Sequence, residues 1–420
     1  MYCLLIPRGP QPFLSESETG GRDQLIYNQQ LLGDHTMHEI TFYPLGNADS
    51  CLITTSAGKK FLFDFGNERD PDNENDKRID LAKALKQDLD ASKRDGVDVL
   101  GITHLDNDHV CGAPEFFYFE HAAKYQSKDR AKIGELWVPA AVIVEDRPDG
   151  DAGVVQAEAR YRLKNKKGIR VFSRPERLRE WMGKQNLNID DYADFITDAG
   201  RTIPKIGLKE DGIEFFVHSP FAEHCDGEII ERNDASLVMQ VRFLEGSTQV
   251  ELILSADTIH DIWSGIVNVT TFHNREDRLR WNLFKLPHHC SFKSLGPEKG
   301  KEKTEPNDEV RWLMEVQAQE RAIVVSTSDP IPSTDTTQPP HRQAANYYKS
   351  VMAEKDGQFL VTMQEPSKES PAPTVFEVGK DGLKRRTNAT ETSGNKLAAA
   401  ISSARGNPAP PAQRVGFGSL

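Results

Sequence analysis

The sequence has few cysteines, no long apolar run and no excess of positive charge, and each absence removes a class of protein. Its five cysteines (Cys3, Cys51, Cys111, Cys225 and Cys290) are an odd number with no CxxC spacing. That excludes a disulfide framework and a zinc ribbon and leaves reduced thiols as the expectation. No stretch approaches the roughly 18 apolar residues that cross a bilayer, so no membrane insertion is expected. The opening MYCLLIPRGP has a short apolar start, but no basic region precedes it and Pro7 and Pro10 interrupt it. It does not read as a secretory signal, and the cytoplasm is the expected location. With 52 Lys and Arg against 64 Asp and Glu, the formal net charge is -12. Such a balance gives no global attraction for nucleic acid, although a local basic groove survives it. No internal repeat of fixed period is present.

What the chain does have is length and pattern. Its 420 residues, 37% hydrophobic and 28% charged, suit one large globular domain with insertions or two modest domains. Residues 1–36 carry Pro, Gly and Ser breakers without sustained periodicity and read as a loose arm. From His38 three short strand-like runs follow, HEITFYPLG, SCLITTS and KKFLFDFG. Ile79, Leu81, Ala82, Leu85 and Leu89 stand at helical spacing, and the run VDVLGIT after them reads as a buried strand that delivers His104. Residues 115–210 are rich in charge, with helical patches and one short strand, ELWVPA, and read as a helical insertion. Its run Lys164, Asn165, Lys166, Lys167 is either a phosphate contact or a solvated face. Four further strands, IEFFVHSP, ASLVMQVRF, VELILSAD and NLFKLPHH, each end in polar or reactive residues. RAIVVSTS, a helix near 343–355, QFLVTM and TVFEVG close a domain spanning 37–384. Residues 385–420 lack large apolar side chains and read as a disordered tail.

The densest chemistry lies in THLDNDHVCG, where His104, Asp106, Asp108 and His109 fall within six positions just after an apolar strand. In an extended or tightly looped backbone, side chains alternate, so His104, Asp106 and Asp108 are expected on one side, with His109 turned toward them. Two imidazoles and two carboxylates this close must be solvated, neutralised or bound to a cation, because an unpaired buried carboxylate is costly. A divalent ion resolves the repulsion. The bland alternative is a polar turn in which Asp108 merely caps a helix.

HLDNDH resembles the H-x-[HD]-x-D-H signature of the metallo-β-lactamase fold superfamily. That resemblance implies an α+β four-layer αββα sandwich, here with the helical insertion, and a mononuclear or dinuclear centre of Zn2+ or Mn2+. It further implies that Asp64, ending FLFDFG, orients the ligand loop, that Asp257 in ELILSADT bridges the ions, and that His289 in KLPHHCS is the last ligand. His288 beside it is the expected group for proton transfer or substrate orientation. The segments HSP, NDASLVMQV, LILSAD, LPHHCS and QPPHR look like those of the hydrolase domain attached to bacterial competence DNA-uptake channels. In that subgroup His341 corresponds to a late histidine near the active site, although Pro340 and Arg342 flank it here. Two departures trade nitrogen for oxygen: Asp106 stands at a usual histidine, and Asn233 stands near the place of a missing ligand histidine. Oxygen donors favour manganese or magnesium, or one tight and one weak site, over a pure zinc centre. His218 and His224 are spare donors.

The implied chemistry is hydrolysis by a hydroxide that the ion activates and Asp108 orients, with His288 or His341 beside developing charge. A phosphodiester is the expected bond, making the protein a nuclease or nucleotide phosphodiesterase with nucleic acid or a nucleotide as substrate. A hydrolase of a small ester, lactone or lactam is the nearest alternative. A metal-stabilised, non-catalytic binding or sensor module is the alternative from another class.

Overall fold

The computed structural model describes residues 37–227 and 229–386. The expected arm of 1–36 therefore lies outside the described residues. Of the expected tail only Arg385 and Arg386 fall within them, and Arg385 ends the last strand.

Strands β1 (His38–Phe42), β2 (Cys51–Thr54), β3 (Lys60–Phe63), β4 (Gly96–Gly101), β5 (Lys132–Pro139), β6 (Ile169–Phe172) and β7 (Ile196–Thr197) lie side by side in that order. From β3 onward they run parallel. A second sheet holds β8 (Ile213–Ser219), β9 (Val238–Glu245), β10 (Thr248–Leu254), β11 (Trp281–Lys285), β12 (Ala318–Ser326) and β13 (Gln358–Val361). Here β10 to β13 run parallel, while β8, β9 and β10 are antiparallel. Glu245 pairs with Thr248 across a two-residue turn, and the left-handed backbone that glycine favours is needed only at its first position, Gly246, whose φ is +63°. The chain then returns: β14 (Thr374–Gly379) adds antiparallel to β1 and β15 (Gly382–Arg385) antiparallel to β14, giving the first sheet nine strands.

Alternation of side chains divides the core into three. Inward residues of both sheets, among them Phe61, Phe63, Trp137, Phe215, Met239 and Leu252, form one core between the sheets. Outward residues of the first sheet, such as Leu62, Leu100 and Val171, pack on the helices Leu81–Ala91, Gly150–Lys164 and Glu176–Lys184. Those of the second, such as Ile253, Phe284 and Val324, pack on His260–Phe272, Asp308–Glu315 and Arg342–Glu354. The architecture is a four-layer αββα sandwich, as expected. The first helix illustrates the local logic. Leu81, Leu85 and Leu89 share its buried face, and the Asp80 side chain accepts from the Lys83 N–H at its start.

The stretch 115–210 carries helices, as anticipated, but it is also structural sheet: β5, β6 and β7 come from it and continue the parallel order past β4. Its run of lysines is a solvated face. Lys167 pairs with Glu120, while Lys164 and Lys166 lie over the rings of Trp181 and Tyr192. Among the described residues no helix is long and apolar enough to cross a membrane.

This topology places the chemistry. Parallel strands end at a common edge, and loops at their carboxyl ends form a shared crevice. Asp64 follows β3, His104 follows β4, Asp257 follows β10, His289 follows β11 and Thr327 follows β12. Because β2 runs antiparallel to β3, its start lies at the same edge and brings Asp49 from the preceding loop.

Candidate metal centre

Four buried side chains, Asp49, His109, Asp257 and His289, each turn one donor atom into a space where all four atoms lie within 4.8 Å of one another. His109 Nε2 is 3.4 Å from Asp257 Oδ1, 3.5 Å from Asp108 Oδ2 and 3.7 Å from Asp49 Oδ2. His289 Nε2 is 2.8 Å from Asp108 Oδ2 and 3.6 Å from Asp257 Oδ2. His104 Nε2 and Asp106 Oδ2, 3.3 Å apart, stand beside this group, and the His104 and His109 rings have centroids 3.9 Å apart. The expected residues therefore converge, with Asp49 as an addition. Nothing in the run GNADS resembled the ligand loop. Its only signal is an acid at the turn into a buried strand.

The imidazoles are held from behind. His109 Nδ1 donates to Asp64 Oδ2 at 2.9 Å, and His289 Nδ1 donates to the Thr327 carbonyl at 2.7 Å. Asp64 also accepts from the Thr103 N–H at 2.7 Å and its hydroxyl at 2.8 Å. With Nδ1 so engaged, the lone pair of each neutral ring sits on Nε2 and faces the cluster, the arrangement that metal-ligating histidines need. Asp64 thus has the orienting geometry expected of it.

Of the extended and tightly looped backbones open from the sequence, the loop takes the tight one. After Leu105 the backbone enters one helical turn, Asn107–Val110, so Asp108 and His109 diverge by helical rather than strand geometry. Asp106 occupies the N-cap position without making a cap hydrogen bond, and Asp108 lies inside the turn, so neither acid is there to cap. Gly66 permits the close approach: a Cβ there would lie 2.0 Å from the Asp108 carbonyl oxygen. Five residues lining the edge, Asp64, Ala256, His288, His289 and Cys290, have positive φ without being glycine. Such backbone is costly and persists where its surroundings fix it, often at functional sites.

Electrostatics define what the cluster wants. Burial pushes the Asp257 carboxyl up, but the His289 and His109 imidazoles outweigh it and hold it well below the usual range. Burial opposes charge on His109, yet Asp64, Asp108 and Asp257 hold its pKa well above the ordinary value. His289, opposed by burial and raised by Asp257 and Asp108, reaches about 9. The acids demand positive charge, and protons on these rings are one source of it. Four buried atoms of the centre, Asp49 Oδ1, Asp257 Oδ1, His104 Nε2 and His109 Nε2, have no hydrogen-bond partner. Buried donors and acceptors are rarely left so. A divalent cation fits this set: it accepts the lone pairs, neutralises the carboxylates and displaces the imidazole protons.

Two cations belong to the protein. Lys285 Nζ is buried against Asp49, donates to the Ala256 carbonyl at 3.0 Å and is 3.9 Å from Asp257 Oδ1. Arg232 Nη1 donates to Asp106 Oδ1 at 2.9 Å and to the Leu105 carbonyl at 3.0 Å. A cleft of about 470 Å³ opens here, lined by Asp106, Arg232, Asn233, Asp234, His288 and Lys293 among others. Asn233 Oδ1 and His288 Nδ1 are buried and unpartnered. His341 is tied to the residue after His289, its N–H donating to the Cys290 carbonyl at 3.1 Å, but its ring is engaged otherwise: Nδ1 accepts from the Phe292 N–H at 3.4 Å, Nε2 donates to the Thr337 carbonyl at 3.3 Å, and the ring packs on Phe292. None of these contacts is to the cluster.

His218 and His224 line a different, larger cavity of about 790 Å³ and do not restore a ligand. Burial lowers the His218 pKa to about 4, with Nε2 donating to the Arg278 carbonyl at 2.9 Å. The fold therefore keeps this ring neutral. Below about pH 6.5 the unfolded chain takes a proton that the folded chain refuses until about pH 4. Stability is expected to fall through that window by on the order of 3 kcal/mol. Urea titrations should show a flatter acid limb for His218→Gln, and an unchanged limb would refute the assignment.

Neither a family model nor a curated protein sequence matches the chain. Among solved structures it is similar to unliganded PDE1 of yeast, at 11% identity over 77% of this chain and 97% of that one, with a TM-score of 0.40. It is similar to the metallo-β-lactamase GOB-18 of Elizabethkingia meningoseptica at 12% identity, 73% and 91% coverage and a TM-score of 0.28. It is also similar to a long form of RNase Z from yeast, at 12% identity over 77% of this chain and 44% of that one, with a TM-score of 0.28. Overlaps this loose leave the chemistry to the residues themselves.

Proposed function

We propose that the chain is a metal-dependent hydrolase acting on phosphodiester bonds, with its ion held by His109, Asp257 and His289 and by the carboxylates that touch them. The observation that carries this reading is the convergence of four buried donor residues, with His109 Nε2 and Asp257 Oδ1 unpartnered, on two rings whose other nitrogens are already fixed. Bound there, a divalent ion supplies Lewis acidity, which brings the ionisation of water near neutral pH and polarises an ester oxygen.

The protein's own groups do the rest. Asp108 is the most exposed of the carboxylates touching the two rings, with 24% of its side chain accessible, and so faces the incoming nucleophile. It orients attacking water and accepts its proton. His288, in the cleft wall with a free Nδ1, meets the substrate or leaving group, and burial keeps its pKa below the ordinary histidine value. It is therefore neutral at pH 7, and its Nδ1 serves as donor or acceptor according to tautomer. Arg232 and Lys293 stand in the same wall among Asp106, Glu231 and Asp234, so attraction for an anionic substrate comes from the seated ion, with these two cations as further contacts. The oxygen-rich donor set and the motif resemblance to the DNA-uptake hydrolase favour a phosphodiester over a neutral ester or lactam.

The test is a panel of single-stranded DNA, RNA, a cyclic dinucleotide, a chromogenic phosphodiester and a chromogenic lactam, each with manganese and with zinc. Turnover is expected of at least one phosphodiester and none of the lactam. Turnover of the lactam alone, or of nothing by metal-loaded protein, overturns the reading.

A further inference from the structure

We propose that the centre binds one divalent ion tightly rather than two, because Arg232 occupies the position of electrostatic partner to Asp106 that a second ion would otherwise fill. The inference rests on the hydrolase reading and specifies how its positive charge is divided between metal and protein. Among the described residues one group of at least three side chains brings ligand atoms together: Asp49, His109, Asp257 and His289. His104 and Asp106 are outside it. A second ion beside them would have His104 Nε2 and Asp106 Oδ2, 3.3 Å apart, as donors, with the Asn233 amide in the same cleft wall as Asp106.

Asp106 already has a cationic partner in Arg232. The guanidinium donates to its Oδ1 at 2.9 Å, and the same side chain is locked by the Glu145 carboxylate, which accepts from Nε at 3.0 Å and from Nη2 at 2.5 Å. The Leu105 carbonyl accepts from Nη1 as well. A planar guanidinium held by two carboxylates and a carbonyl is fixed in place and is permanently charged. Placing a dication on the other oxygen of Asp106 would set it against this cation and divide one carboxylate between them. Two donors, one of them shared with a cation, make a weak seat; the other group shares Asp49 with Lys285 but still keeps His109, His289 and Asp257, with Asp108 against both rings, and so makes the stronger one.

The fixed guanidinium lines the cleft wall, where an anionic substrate would meet it while it remains held by Asp106 and Glu145. Arg232 is here a positioning residue for Asp106 and a candidate contact for an anionic substrate.

Metal counting by elemental analysis tests this without reference to turnover. The full chain is loaded with excess Zn2+ or Mn2+, passed through a desalting column and analysed. One equivalent is expected for the wild type and for Asp106→Asn, and a second for Arg232→Ala, which frees Asp106. Arg232→Lys, which keeps a charge there, should retain one. Two equivalents in the wild type, a drop to none in Asp106→Asn, or a single equivalent in a folded Arg232→Ala would overturn the proposal. If Arg232→Ala does not fold, the counts for wild type and Asp106→Asn decide. Retention of two ions would leave the hydrolase reading standing, whereas retention of none would remove both.

Discussion

Asp257→Ala is expected to abolish metal-dependent hydrolysis while leaving the metal-free fold nearly as stable as before. Asp257 is buried, touches His109 at 3.4 Å and His289 at 3.6 Å, and leaves one oxygen without a partner. Removing it takes away a negative donor that both rings face, and the Lewis-acid contribution that depends on a seated ion is worth several kcal/mol. A fall in kcat/KM on the order of a thousandfold or more follows. The folded state loses little, since the Lys285 pair with Asp49 survives and His109 and His289 can return to neutrality once one acid is gone. Thermal melts separate the two effects. Adding zinc at about a hundred times its dissociation constant should stabilise the wild type by roughly 2.7 kcal/mol. The variant should show no such gain. A variant that keeps the zinc-induced shift, or that loses the fold without metal, would contradict the role given to Asp257.

How much of this was legible beforehand depends on where a residue's signal resides. Strands β3, β4, β10 and β11 announce themselves through apolar runs, and a reactive residue just past such a run stands at the crevice edge because parallel strands end together. That reasoning reaches Asp64, His104, Asp257 and His289. It fails for Asp49, whose carboxylate enters from the loop before β2 and becomes a neighbour of His109 only through the antiparallel return of that strand. Lys285 was hidden for another reason. It ends the strand WNLFK, and lysine is by default a surface residue. Arg232 lies in a loop, and its pairing with Asp106 spans 126 positions of sequence. Within 115–210 the strand ELWVPA is legible as part of β5, whereas β6 and β7, of four and two residues, are too short among charged helices to show a pattern. Their membership in the sheet comes from the register with β4, which no local pattern encodes.

Lys285→Met should produce the largest loss of stability of any single change at the centre, and metal should reverse part of it. The ammonium and the Asp49 carboxylate are both nearly inaccessible, with side-chain exposures of 6% and 4%. Burial alone would lower the lysine pKa, but Asp49 and Asp257 outweigh it and hold the pKa above the ordinary value, so the group is charged in the folded protein. Breaking a buried pair by removing one member leaves the other charge uncompensated, at a cost of about 3–5 kcal/mol. Methionine fills similar volume, so the loss reports charge and not a cavity. Asp49 must then find a proton or a cation. Since its Oδ2 is 3.7 Å from His109 Nε2, an ion seated by the cluster is the nearest available cation. Melts with chelator should therefore place Lys285→Met far below the wild type, and melts with saturating zinc should narrow the gap. Asp49→Asn combined with Lys285→Met should recover stability in chelator, because neither charge remains, yet show less rescue by metal than Lys285→Met alone. Equal deficits with and without zinc would mean that the lysine supports packing and has no electrostatic link to the metal centre.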